Sequence, residues 1–240
     1  MTIDTLYEDE DIIIVNKPAG VLVIPDRFNN ELPSLNKMLE NKLGQQVWVV
    51  HRIDRDTSGV ICFAKNENAH KYLSKLFQEH NIGKYYVGLV HGRLLPAEGT
   101  IEKPIVEHPA KNGKMTVAKK GKPSITDYKV TSEWPLYSLV EFRIHTGRTH
   151  QIRVHMQSIG HSIVADPLYG DGKPFFLSNI KKKYRLSDNE EAERPLLSRL
   201  ALHASRLEFK KEGGKEVIVE APLPKDISAC VKQLNKWAKV

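Results

Sequence analysis

The sequence predicts an α+β fold: one domain over residues 1–240, built on a largely antiparallel mixed sheet flanked by helices. Three observations lead there. Short β-rich runs outnumber helical stretches, and the helices do not alternate strictly with the strands. Two runs, Ile125 to Val130 and Tyr137 to Ile144, alternate apolar and polar residues on either side of Pro135, the pattern of antiparallel strands with one wet face. No internal repeat and no long Pro/Gly/Ser linker marks a domain boundary.

Along the chain, Ile12 to Val15 reads as a strand running into the turn Asn16-Lys-Pro-Ala-Gly20, and Val47 to Ile53 and Val60 to Ala64 as two more β-rich runs. The loop Asp54-Arg-Asp-Thr-Ser-Gly59 connects them. From Ala69 through Tyr72, Leu73, Leu76 and Phe77 apolar residues recur at helical spacing, predicting an amphipathic helix that ends near Gly83. A strand follows at Tyr85 to Val90. After Thr146-Gly147, Ile152, Met156 and Ile159 return to helical spacing. Thr149 is the expected cap, Gly160 the expected left-handed end, and His150, Arg153 and Gln157 share the opposite side. Leu200 to Phe209 and Val217 to Ala221 read as late strands. Asp226 is expected to cap a last helix carrying Ile227, Val231, Leu234 and Trp237.

Composition narrows the class of protein. Apolar residues make up 40% and charged residues 27%, as in ordinary globular chains. The longest aliphatic run is too short to span a bilayer and no signal-peptide pattern opens the chain, so a cytoplasmic protein without membrane contact is expected. Cys62 and Cys230 are the only cysteines, which excludes a disulfide framework and a cysteine-rich zinc module. Lys plus Arg (36) exceeds Asp plus Glu (29), and the excess lies downstream: residues 1–60 hold 6 basic and 10 acidic residues. Residues 101–130 hold seven lysines among Pro104, Pro109, Gly113, Gly121 and Pro123, which reads as a mobile cationic arm suited to phosphate-rich partners or, equally, as a solvated hairpin flank with no partner.

Phosphate-loop, nucleophile-elbow and zinc-protease spacings are missing, and His145, His150 and His155 are poorly spaced for a metal. The segment His51-Arg-Ile-Asp-Arg-Asp-Thr-Ser-Gly59 sets a carboxylate among cations between two strands. Its neighbours would keep Asp54 ionised as a nucleophile or base, while a turn-closing Asp is the alternative that these residues alone leave open.

With three further segments, this loop resembles the RluA-type family of RNA pseudouridine synthases over most of the chain. Asn16 to Gly20 is similar to the family's Lys-Pro-x-Gly turn, and His51 to Gly59 to its His-Arg-Leu-Asp-x-x-Thr-Ser-Gly signature, with Ile53 in place of Leu. Lys84-Tyr-Tyr-Val-Gly88 resembles the strand bearing the active-site tyrosine, and Thr146 to Met156 the motif whose second arginine pairs with the aspartate. Asp166-Pro-Leu-Tyr-Gly170 and Leu202-His-Ala204 resemble two segments read as mainly structural.

The resemblance implies a pseudouridine-synthase catalytic domain over 1–240 that turns specific uridines in ribosomal RNA or tRNA into pseudouridine. It implies no cofactor, no metal and a monomer. Asp54 is then the catalytic carboxylate, Arg153 the cation that holds it, and Tyr86 the ring that positions the base or assists proton movement at C5, positioning being favoured. His51, Arg52, Thr57, Arg148, His150 and Gln151 are expected to bind substrate, Arg52 by filling the space left by the flipped uridine, with a surface ion pair to Asp56 as its alternative. The family's first segment begins close to residue 1. The expectation is therefore a chain without the accessory N-terminal RNA-binding domain, gripping RNA through the catalytic domain alone.

Overall fold

The computed structural model describes residues 3–27, 29, 31–110, 113–186 and 192–238. The fold is α+β, with a large, mostly antiparallel sheet and four α-helices. It divides into two compact units, Met1–Tyr86 with His203–Pro222, and Val87–Leu202 with Leu223–Val240. The boundary falls within two strands, β5 (Gly83–His91) and β11 (Leu202–Lys210).

The first unit is organised around a strand that water does not reach on either face. β1 (Asp4–Glu8) pairs antiparallel with β2 (Ile12–Lys17), and β2 with β4 (Ser58–Ala64), whose seven residues are all buried. Both faces are covered, which is why the apolar run at 12–15 is continuous instead of alternating. Ile12 and Ile14 join Val60, Cys62 and Leu73 on one side, under α2 (Glu67–Gln78). Ile13 and Val15 join Ile61, Phe63, Leu35 and Leu39 on the other, under α1 (Leu35–Leu43). Only Trp48–Val49 of the expected 47–53 strand is extended (β3), because 50–57 leaves the sheet to form the loop. Asn66 caps α2 by accepting the Ala69 N–H at 2.9 Å. That helix stops at Gln78, with His80 in the left-handed region, whereas Gly83 already belongs to β5.

β4 meets β11 in parallel, Ser58 opposite His203 and Gly59 opposite Ala204, and β12 (Glu216–Glu220) pairs antiparallel with β11. Gly59 has φ +113°, and a Cβ there would lie 2.0 Å from the Ala204 carbonyl oxygen. Only glycine fits both the backbone and the approach. The Ser58 hydroxyl bonds His203 Nδ1 at 2.9 Å inside the core. The Thr-Ser-Gly and Leu-His-Ala segments are thus two sides of one joint.

In the second unit the strand order is β5, β10 (Tyr137–Ile144), β9 (Ile125–Trp134), β6 (Glu98–Glu102), with β9 and β10 antiparallel as expected. Residues 101–130 correct the expectation of a mobile arm: they contain β6, the hairpin β7 (Ile105–Glu107) and β8 (Met115–Val117), and the start of β9. The hairpin is pinned, since Gly121 lies so close to the Ile105 backbone that a Cβ would meet it at 2.6 Å. Lys111 lies outside the described residues. α3 (Gln151–Ser158) is buried on all sides from Gln151 to Met156, so its polar side is not a wet one. His150, with φ +55°, takes the cap position expected of Thr149, and Gly160 turns left-handed as expected. In α4 (Lys225–Trp237) Pro224 holds the cap position and Asp226 lies within the first turn, bonded in two places to Arg199. Trp237, expected on the core face, is 40% exposed.

Candidate active site

The loop after β3 is held from beneath by a buried ammonium. Lys17, fully buried at the end of β2, donates to the carbonyls of Pro18 at 3.0 Å and of Val21 and Arg55 at 2.8 Å each. Removing a charge from water is costly unless its donors are satisfied, and three carbonyl dipoles do this here. The Gly20 N–H also donates to Arg55 O, and Arg55 Nε to Gly20 O. The Lys-Pro-Ala-Gly turn therefore clamps the residue that follows Asp54. The 54–57 turn is closed by the backbone, with the Thr57 N–H donating to Asp54 O at 3.2 Å.

Asp54 is half-buried, and its charge is felt by Tyr86 on β5. Burial first, and the negative charge of Asp54 second, push the Tyr86 phenol well above its ordinary value. A phenol raised in this way favours its protonated form. Among the described residues its hydroxyl has no hydrogen-bond partner.

His51 and Thr57 turn inward. The His51 ring stacks on Phe77 at 4.3 Å between centroids, and its Nε2 accepts the Cys62 N–H at 3.0 Å. Burial, with the nearby charge of Lys84, holds its pKa down to about 3, so the ring is neutral and anchors the loop to β4. Thr57 is buried. Arg52 is exposed, and among the described residues it forms no ion pair or hydrogen bond, Asp56 included.

The remaining candidates belong to the second unit. Arg153, buried on α3, donates from Nε and Nη2 to the two oxygens of Asp166 at 2.7 and 2.8 Å. Asp166 is itself fully buried and also accepts the N–H groups of Leu168 and Tyr169, so one carboxylate shapes the 166–170 turn and grips one edge of the guanidinium. The Tyr169 ring lies 4.9 Å from the Arg153 guanidinium carbon. Gln151 is consumed internally: its amide donates to Ile125 O and Thr126 Oγ1 and accepts from the Thr146 hydroxyl and the Arg148 N–H. Arg148 donates from Nε to Pro123 O. The three histidines considered for a metal go separate ways, His145 to Asp127, His150 to the Tyr169 hydroxyl, and His155 to Thr126 and Lys103 O.

The sequence reading did not single out the roles of Lys17, His203, Asp166 and Tyr169. One signal for Asp166 was available: an arginine facing the inside of a buried helix requires a counter-charge, and the Asp-Pro-Leu-Tyr-Gly turn supplies it.

A family model described as RNA pseudouridylate synthase matches residues 11–158, from β2 through α3. The chain is 40% identical over 230 residues to a ribosomal large subunit pseudouridine synthase D of Buchnera aphidicola, covering 94% of this chain and 71% of that protein. Identity to the enzyme of the same name from Neisseria meningitidis is 39%, over 95% of this chain and 60% of that one, and to the Escherichia coli K12 enzyme 35%, over 97% and 71%. Among solved structures, human RNA pseudouridylate synthase domain containing 1 superposes with a TM-score of 0.73 at 28% identity, over 95% of this chain and 87% of that one. The chain belongs to the RNA pseudouridylate synthase family, in its RluA-type branch, and is an isomerase of uridine in RNA. Among the described residues no helix is long and apolar enough to cross a membrane.

Proposed function

We propose that the chain converts specific uridines of structured RNA to pseudouridine, using Asp54 as the reacting carboxylate. Ribosomal RNA of the large subunit is the first substrate class to test, given the names of the relatives, and tRNA the second. The observation that supports the assignment is the half-buried Asp54 on a loop braced by Lys17 and Gly20 through the backbone of Arg55, within the stretch matched by the family model. The isomerisation breaks the N1–C1′ bond, turns the uracil, forms C5–C1′ and releases the C5 proton while N1 gains one, so no redox partner is required. Asp54 supplies the negative charge that attacks or deprotonates the nucleoside, and Tyr86 stacks on the uracil. Arg153, already oriented by Asp166, is the cation assigned to Asp54, limiting its rotamers.

Arg52 is assigned to the space vacated by the flipped base. Its exposure and its lack of an ion pair favour this over a surface pair with Asp56. Thr57, His51, Arg148, His150 and Gln151 remain assigned to the substrate side of the site, and the internal bonds of His51 and Gln151 make their contribution one of support. A monomer in the reducing cytoplasm completes the reading, supported by two buried free cysteines, Cys62 and Cys230.

The experiment is release of tritium from C5-labelled uridine over a panel of large-subunit ribosomal RNA and tRNA transcripts. Asp54→Asn should abolish release while RNA affinity stays within about threefold, and Asp56→Asn should stay active. A dead Asp56→Asn beside a working Asp54→Asn would move the catalytic role to Asp56.

A further inference from the structure

Tyr169 occupies a position that neither the catalytic assignment nor the lysines of residues 101–130 account for. It is 3% exposed, at the end of the turn shaped by Asp166. Its hydroxyl accepts the Met115 N–H of β8 at 2.8 Å and lies 2.8 Å from His150 Nδ1, the residue at the start of α3. Its ring lies under the Arg153 guanidinium and meets the His150 ring edge-on, with centroids 5.5 Å apart. Lys114 Nζ, on the hairpin, lies 5.4 Å from the same ring. Around it Ile105, Val154, Met115 and Val117 form a small apolar cluster, so the hairpin rests on the helix that carries Arg153.

Two functions meet in this one side chain. Its π face holds the guanidinium from a direction that Asp166, bonded along one edge, does not control. Its oxygen holds the backbone of β8. A planar cation fixed along an edge can still swing about that edge, and a ring beneath it removes this freedom. A shift of the hairpin pulls on the Tyr169 hydroxyl and so on the ring under Arg153.

We propose that Tyr169 is a positioning residue that couples RNA grip on the β7–β8 hairpin to the orientation of Arg153. The proposal rests on the synthase reading above. Its two halves are separable by substitution: Tyr169→Phe keeps the ring and removes the oxygen, whereas Tyr169→Met keeps apolar volume and removes both.

The test uses the full chain and whichever transcript of the panel releases tritium with the wild-type protein. If no transcript does, it is the synthase reading that fails, and amide exchange at Met115 in the free protein still tests the coupling. Exchange at Met115 should quicken in both variants. Single-turnover rates at saturating protein should fall about tenfold or more in Tyr169→Met, while Tyr169→Phe keeps most of the rate and loses about threefold to tenfold in RNA affinity. A purely structural role would lower rate and affinity together in both variants, in step with the folded fraction, and would overturn the proposal. So would unchanged Met115 exchange in Tyr169→Phe. If Tyr169→Met does not fold, the split between affinity and rate in Tyr169→Phe decides alone.

Discussion

Arg153 shows how a charged side chain is made dependable. Its guanidinium is buried, fixed along one edge by a fully buried carboxylate and covered on one face by Tyr169. Each of these contacts uses planarity, which lysine lacks. Arg153→Lys is therefore expected to lose at least about a hundredfold in single-turnover rate with RNA affinity little changed. Wild-type turnover in that variant would remove Arg153 from the catalytic assignment. A mere loss of folding would show instead as a lowered denaturation midpoint, because lysine leaves one Asp166 oxygen short of a donor.

At the scale of elements, the hairpin of β7 and β8 corrects what composition suggested. Seven lysines among prolines and glycines read as a mobile arm, yet the backbone is paired and tied down through Gly121, Tyr169 and the apolar cluster over α3. The charge reading still has a test. Replacing Lys111, Lys114, Lys119 and Lys120 with Gln should weaken RNA binding and flatten the slope of log affinity against log salt, leaving the chemical step near normal. An unchanged slope would shift the grip to the basic run Lys181, Lys182, Lys183 and Arg185. Periodicity located the long elements well, α2, β4, β5, β9 and β10 among them, because each buries a face set by its own residues. It did not find α1, β1, β6 or the hairpin, whose short apolar stretches gain their burial from distant partners. The α3 cap was assigned to Thr149 because hydroxyls commonly cap, but here the next residue, His150, adopts a left-handed turn and its side chain is engaged by Tyr169. For the candidate site, the motifs named the candidate residues, and the fold revealed which of them face inward. His51 and Gln151 look like ligand-binding residues in sequence because polarity does not record direction.

For the whole molecule, acid is the condition that exposes how the fold handles its ionisable groups. Burial lowers the pKa values of His51, His91 and His155, that of His51 to about 3. A histidine kept neutral in the fold but free to take a proton when unfolded makes the unfolded chain bind more protons as pH drops below about 6.5. Asp9 acts in the same direction further down. Burial alone would raise it, but hydrogen bonds from Lys211, Tyr7 and the N–H groups of Ile12 and Asp11 outweigh that and bring it to about 2. Its contribution is present above about 3.8 and lost as pH falls toward 2. Unfolding free energy should therefore be flat near neutrality and fall below pH 6.5, for His51 by about 1.4 kcal/mol per pH unit until its folded pKa of about 3 is reached, steepening again below 4. Urea denaturation at a series of pH values measures this. Stability that does not change between pH 7 and 4 would mean that these histidines are protonated in the fold.

Lys17 leaves a further mark on how the molecule meets reagents. An amine held by three carbonyls and closed to solvent cannot react with an acylating agent while those bonds last. Exposed lysines acylate at once, so the slow acylation of Lys17 clocks how often the loop carrying Asp54 lifts from its turn. Bound RNA that presses on that loop should slow the clock, giving a footprint of substrate on a residue the substrate never touches.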